Sequence, residues 1–167
     1  MRYATLNDLQ ARFGEAELRE RTDPDAQAIN EAAVERALDD AHADADGALA
    51  LVYVLPLAGC TKPAPVPGDV QATVQVAPPQ LTRWVCDLAR AYLWQNELLP
   101  DEHPIAQAAQ AARRQLQLVA SGKLAISCPW GGQAGQTKSG QADASTAGET
   151  WFDFSQRRVR HESDSYR

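Results

Sequence analysis

The sequence predicts a mostly α-helical protein: a small bundle of about four helices, a short β-hairpin or strand excursion, and an extended C-terminal arm. Three observations carry this. Apolar residues recur at helical spacing in most of the first 120 positions. One stretch between Gly59 and Pro79 changes to a Pro-rich, period-two texture. After Cys128-Pro129-Trp130 the periodicity stops, and Gly, Gln, Ala, Ser and Thr dominate up to Glu149.

The elements follow in order. Thr5 is an N-cap with Asp8 three residues on, the spacing of a capping box, and Leu6, Leu9 and Phe13 share one helical face before Gly14 ends the run. Glu15 to Arg21 forms a further short turn or helix, closed by Thr22-Asp23-Pro24-Asp25. Asn30 caps the clearest helix, with Ile29 and Val34 placed as a hydrophobic staple. Its apolar stripe is Ala37, Leu38, Ala41, Ala45, Ala48, Leu49 and Val52, and it stops before Pro56. Glu35, Asp39, Asp40, Asp44 and Asp46 lie largely off that stripe.

Within Gly68–Ala77 the residues Val70, Ala72, Val74 and Val76 alternate with polar ones, which predicts a short strand. Its partner is either Leu51–Leu57 or a neighbouring subunit. Pro78-Pro79 opens the next helix, with Leu81, Val85, Leu88, Ala89 and Tyr92 on its core face and an end near Leu99-Pro100. A last helix starts around Pro104 and carries Ile105, Ala109, Ala112, Leu116 and Val119, with Gly122 as its C-cap. The domain plan is therefore a helical body over 1–128 with a projecting loop or hairpin at 59–78, a flexible linker over 129–150, and a docking arm over 151–167.

Composition narrows the function. The 167 residues carry a net charge of −6, which argues against DNA or an anionic membrane as the main partner. Much of the 44% hydrophobic content is alanine, so the core should be thin and gain from neighbouring subunits. The three cysteines, Cys60, Cys86 and Cys128, are odd in number and widely spaced, which reads as reduced thiols in a protein made in a cytoplasm. The first residues hold no apolar signal region, and no apolar run reaches membrane-spanning length.

Motifs for chemistry are weak. Gly131 to Ser139 has the composition of a phosphate-binding loop, but Gln136-Thr137 separate the last glycine from Lys138-Ser139. His42, Asp44 and Asp46 lack a second metal-ligand pair, and the acidic face reads as solvated. Asp101, Glu102 and His103 read as capping and turn residues. Cys86, with His103 as base, is the nominal thiol nucleophile, yet its position on an apolar helix face reads as core. The expectation is no catalytic residues, no metal and no cofactor. The arm differs: Trp151, Phe152 and Phe154 followed by Arg157, Arg158, Val159 and Arg160 have the composition of a tethered interface anchor.

Taken in order, several stretches resemble the Mu-like phage neck-protein family. They are Tyr3-Ala4-Thr5-Leu6-Asn7-Asp8-Leu9 with Arg12-Phe13-Gly14, Thr22-Asp23 before an Ala-rich acidic helix, Tyr53-Val54-Leu55-Pro56-Leu57, and Cys86-Asp87-Leu88-Ala89-Arg90-Ala91-Tyr92-Leu93. Val52 stands where the family's R-Y-x-L-P-L has Arg, and Ala91 and Tyr92 depart from the simplest form of its C-D-(I/L)-A-R-Y helix. The stretch Arg157-Arg158-Val159-Arg160 is similar to a degenerate family terminus.

The resemblance implies a structural head–tail connector in the virion neck: a homo-oligomeric ring, twelve copies by family likeness, beneath the portal protein. It implies no enzymatic activity. The alternatives are a tail-completion or terminator protein on the tail side of the neck, and a small cytoplasmic thiol hydrolase using Cys86 or Cys60. Under the connector reading, Val70, Val74 and Val76 meet a neighbouring subunit or the next ring. Glu35, Asp39, Asp40, Asp44 and Asp46 face the lumen, past which DNA slides without specific binding. The arm docks on the portal, and the other face meets a tail terminator or the next neck protein. No membrane partner is expected.

Overall fold

A computed structural model describes residues 1–23, 25, 28–94 and 99–138. Five helices and one two-stranded hairpin follow in the order α1 (Leu6–Phe13), α2 (Glu15–Thr22), α3 (Glu31–Leu49), β1 (Cys60–Pro63), β2 (Thr73–Val76), α4 (Pro79–Leu93) and α5 (Pro104–Ala120). The fold is the mostly helical bundle that the sequence predicts. The segment expected as a short turn or helix is the two-turn α2.

Local signals set the helix ends. Asp8 Oδ2 accepts from the Thr5 backbone N–H at 2.8 Å while Thr5 Oγ1 accepts from the Asp8 N–H at 3.4 Å, completing the capping box of α1. Asn30 caps α3 through the Ala33 N–H at 3.2 Å. Pro79 opens α4 at the position where a missing N–H costs nothing. That helix ends at Leu93, earlier than the Leu99-Pro100 stop the sequence suggests.

The core lies where α3, α4 and α5 pack on one another, with α1 and α2 laid across them. Leu38, Leu49, Leu81, Val85, Cys86, Leu88 and Val119 are fully buried, and Leu9 and Leu18 bring α1 and α2 into the same core. Alanines at 41, 45, 89, 109 and 112 bring the helix backbones close, which is why so alanine-rich a chain still closes. Arg90 ties α4 to α2 with a two-pronged contact to Glu17, Nε–Oε1 2.6 Å and Nη2–Oε2 2.8 Å, and its guanidinium lies 4.4 Å from the Phe13 ring centroid.

His42 latches the N-terminal segment onto α3. Its Nδ1–H donates to the Leu38 carbonyl at 2.6 Å, and Nε2 accepts from the Tyr3 and Ala4 N–H groups at 2.9 and 3.2 Å. Both ring nitrogens are thereby used, and Tyr3 and Ala4 are buried above them. Replacing His42 with alanine leaves two backbone donors without an acceptor. The expected cost is about 1–3 kcal/mol, read as a lower urea midpoint at unchanged slope.

The segment after α5 departs from the expected plan. Residues 129–138, expected as the start of the linker, lie along the body as a strap. The Val54 and Gly59 N–H groups donate to Gln136 and Ala134 carbonyls, both at 2.9 Å, and the Lys138 N–H donates to Val52 O at 2.8 Å. Ile126 N–H donates to the buried Tyr53 hydroxyl at 2.9 Å. Gly135 packs closely here: a Cβ would sit 2.6 Å from Leu57 Cδ2, so any larger residue requires the Leu57 side chain to shift.

Cys60 and Cys128 form a disulfide across a sequence separation of 68, so the expectation of three reduced thiols is corrected: only Cys86 is free. The strap explains how a polar segment orders at all. One end is fixed covalently, and its backbone groups find partners that its side chains do not supply. The linker from 139 to 150 and the arm residues Trp151, Phe152, Phe154, Arg157, Arg158, Val159 and Arg160 lie outside the described residues.

Candidate assembly surfaces

The Pro-rich stretch folds into a hairpin within the chain. β1 and β2 pair antiparallel with Cys60 opposite Val76 and Pro63 opposite Thr73, so the strand's partner is Cys60–Pro63 rather than Leu51–Leu57. Beyond the ladder, Ala64 N–H donates to Ala72 O at 2.8 Å, and Val66 and Asp69 exchange backbone bonds of 3.0 and 2.9 Å. Pro67 and Gly68 make the turn. Proline presets its φ at the first corner, and Gly68 takes φ +97°, which other residues avoid.

Direct opposition places Cys60, Val76, Lys62 and Val74 on one face and Thr61, Gln75, Pro63 and Thr73 on the other. Gln75 Nε2 donates to Thr61 Oγ1 at 2.8 Å on the polar face. The base is anchored: Cys60 is fully buried and Val76 packs against the core. The tip is bare, with Val70 80% and Val66 53% exposed, and Val74 in the ladder is 44% exposed. Of the three valines read as partner contacts, Val70 and Val74 are therefore available, while Val76 serves the hairpin's root.

At that root lies an open recess of about 430 Å³ between the N-terminal segment, the hairpin, the start of α4 and the strap. Met1, Val76 and Pro79 give it apolar walls, and Trp130, 41% exposed, stands at its edge with the Lys62 ammonium 5.5 Å from the ring centroid. Arg12 and Lys62 supply positive charge. Asp8, also in the lining, is already bonded to Thr5 in the capping box. Sequence reasoning missed this recess. Trp130 was the available signal, a large aromatic in an otherwise apolar-poor segment.

Four of the acidic residues of α3 have partners within the chain. Arg2 pairs with Glu35 and, at 2.8 Å, with Asp39. The Tyr3 hydroxyl donates to Asp46 and the Tyr92 hydroxyl to Asp44. Burial and then the neighbouring carboxylate push both phenols above the ordinary tyrosine range. Asp40 is exposed and borders a polar groove with Arg21 and Arg36. The helix face is thus partly neutralised by Arg2, and Glu35, Asp39, Asp44 and Asp46 help to fix the N-terminal segment and α4.

The nominal chemistry sites are absorbed by the fold. Cys86 is fully buried, and burial pushes its thiol up to about 12. Cys60 is in the disulfide. His103 caps α5, its Nδ1 accepting from Ile105 N–H at 3.3 Å. Among the described residues no three His, Cys, Asp or Glu side chains converge to hold a metal, and no helix is long and apolar enough to cross a membrane. The glycines of the phosphate-loop-like stretch belong to the strap.

Comparison with known proteins matches residues 3–145 to the family described as Bacteriophage Mu, Gp36, a span that includes the bundle, the hairpin and the strap. No curated protein matches the chain.

Proposed function

The chain belongs to the Bacteriophage Mu, Gp36 family, which makes it a phage structural or morphogenesis protein, and within that class we propose that it is the head–tail connector of the virion neck. In this reading it forms a homo-oligomeric ring under the portal protein and hands the assembly on to a tail terminator or second neck protein. The observation that carries the proposal is the family match over nearly the whole chain. The surfaces support it: the exposed apolar features of the described residues include a projecting hairpin and a recess, shapes suited to another protein. The candidate thiols are buried or bonded, which favours a structural role over a thiol hydrolase.

In the same reading the arm anchors the ring. Trp151, Phe152 and Phe154 fill apolar pockets between portal subunits, and Arg157, Arg158 and Arg160 pair with portal carboxylates. Ring symmetry multiplies weak contacts, because each docked arm raises the local concentration of the next. Deleting the chain from Trp151 onward is the test. The expected result is DNA-filled heads without tails and with this protein largely missing from them. Normal occupancy of stable heads by the truncated protein refutes the anchor. Accumulation of the full-length protein on free tails instead of heads assigns it to tail completion.

A further inference from the structure

We propose that the hairpin tip of one copy seats in the recess at the hairpin root of the next, making a head-to-tail contact between identical chains. The proposal builds on the ring reading above and names its interface. One chain carries both halves of the contact. The tip is an apolar knob of Val66 and Val70 around a tight Pro67-Gly68 turn. The recess is an apolar socket walled by Met1, Val76 and Pro79 and edged by Trp130.

The two halves cannot meet within one chain. Val76 lines the recess and is also the last rung of the ladder, opposite Cys60. The tip lies some six residues further along the ribbon, roughly 20 Å at about 3.3 Å per residue. Folding the tip back onto its own root would break the ladder that holds it out. The knob therefore reaches only another molecule's socket. A contact between two different patches of identical chains is heterologous, the kind that builds a ring when the rotation between copies closes and an open filament when it does not.

Charge agrees with the same occupant. The tip carries an exposed Asp69 between Val66 and Val70, one of whose oxygens accepts from the Gln71 N–H at 3.0 Å. The socket presents Lys62 and Arg12 beside one carboxylate, Asp8, with Arg12 also facing Asp87, while Arg2, a further lining residue, is already paired with Glu35 and Asp39. An acidic apolar knob entering a basic apolar socket gains on both counts, and the charges set its orientation.

The test uses the purified full-length chain and sedimentation across a concentration series, with far-UV circular dichroism as the control for folding. Val70→Asp, at an 80% exposed position, should weaken self-association by roughly tenfold or more with helix content unchanged. Asp69→Lys and Lys62→Glu should each weaken it too. Mixing those two single variants should restore it, because each then finds its complement in the other: lysine tip to glutamate socket, native tip to native socket. Association of all three variants at wild-type strength overturns the proposal. So does a mixture no stronger than its components, or a wild-type chain that remains monomeric at every concentration. These outcomes are separate from the connector reading, which stands or falls on where the protein sits in particles.

Discussion

Replacing Leu88 with alanine is expected to destabilise the body by about 2–5 kcal/mol, the range for emptying a buried leucine site. Leu88 is fully buried on α4, the helix that packs against both α3 and α5. Small domains are stable by only about 5–15 kcal/mol in total, so this one change should consume much of the margin and reduce assembly through loss of folded protein. The measurement is urea unfolding followed by circular dichroism. Leu51, 67% exposed, supplies the contrast: Leu51→Ala should stay within about 0.5 kcal/mol. Equal effects at the two sites would contradict the packing described here.

Separating Cys60 from Cys128 should cost a similar amount. The link closes a loop with a sequence separation of 68, and loop-closure entropy for that length is worth about 4 kcal/mol in the unfolded chain. Cys60→Ser with Cys128→Ser is expected to lower the unfolding midpoint accordingly and to release the strap from residues 52–59 first, seen as loss of hydrogen-exchange protection at Gly59 and Lys138. Thiol counting checks the pairing itself. Oxidised native protein should react with no alkylating reagent, unfolded protein at one cysteine, and unfolded reduced protein at all three. Three reactive thiols without reductant would disprove the link.

The helices were legible because each is written in a stripe. Leu81, Val85 and Leu88 repeat at helical spacing, and Thr5, Asn30 and Pro79 mark starts by chemistry that needs no tertiary context. The hairpin was half legible. Alternating valines announced β2, but β1 is Cys-Thr-Lys-Pro, with no alternation to find, so the sequence pointed to Leu51–Leu57 instead. The strap was hidden altogether, since Ala134, Gln136 and Lys138 are held through backbone bonds to which composition is blind. The disulfide was hidden for a related reason: a wide spacing says nothing about whether a fold brings two cysteines together.

The assembly surfaces show the same division. Val70 and Val74 were identifiable as exposed because a strand with one apolar face needs somewhere to put it. The recess was not, because it is assembled from the N-terminal segment, the hairpin root, the α4 start and Trp130. Glu35, Asp39, Asp40, Asp44 and Asp46 of α3 looked like one solvated face. Four instead meet Arg2, Tyr3 and Tyr92, partners up to 48 residues away in sequence.

The central claim is that this chain forms the ring joining head to tail, and a cryo-EM map of the intact neck tests it most directly. The account predicts a closed ring of this chain directly beneath the portal, hairpin tips seated in the recess of the next copy, and arm density against the portal. A neck whose density beneath the portal belongs to another protein, with this chain elsewhere in the particle or missing from it, would contradict the account.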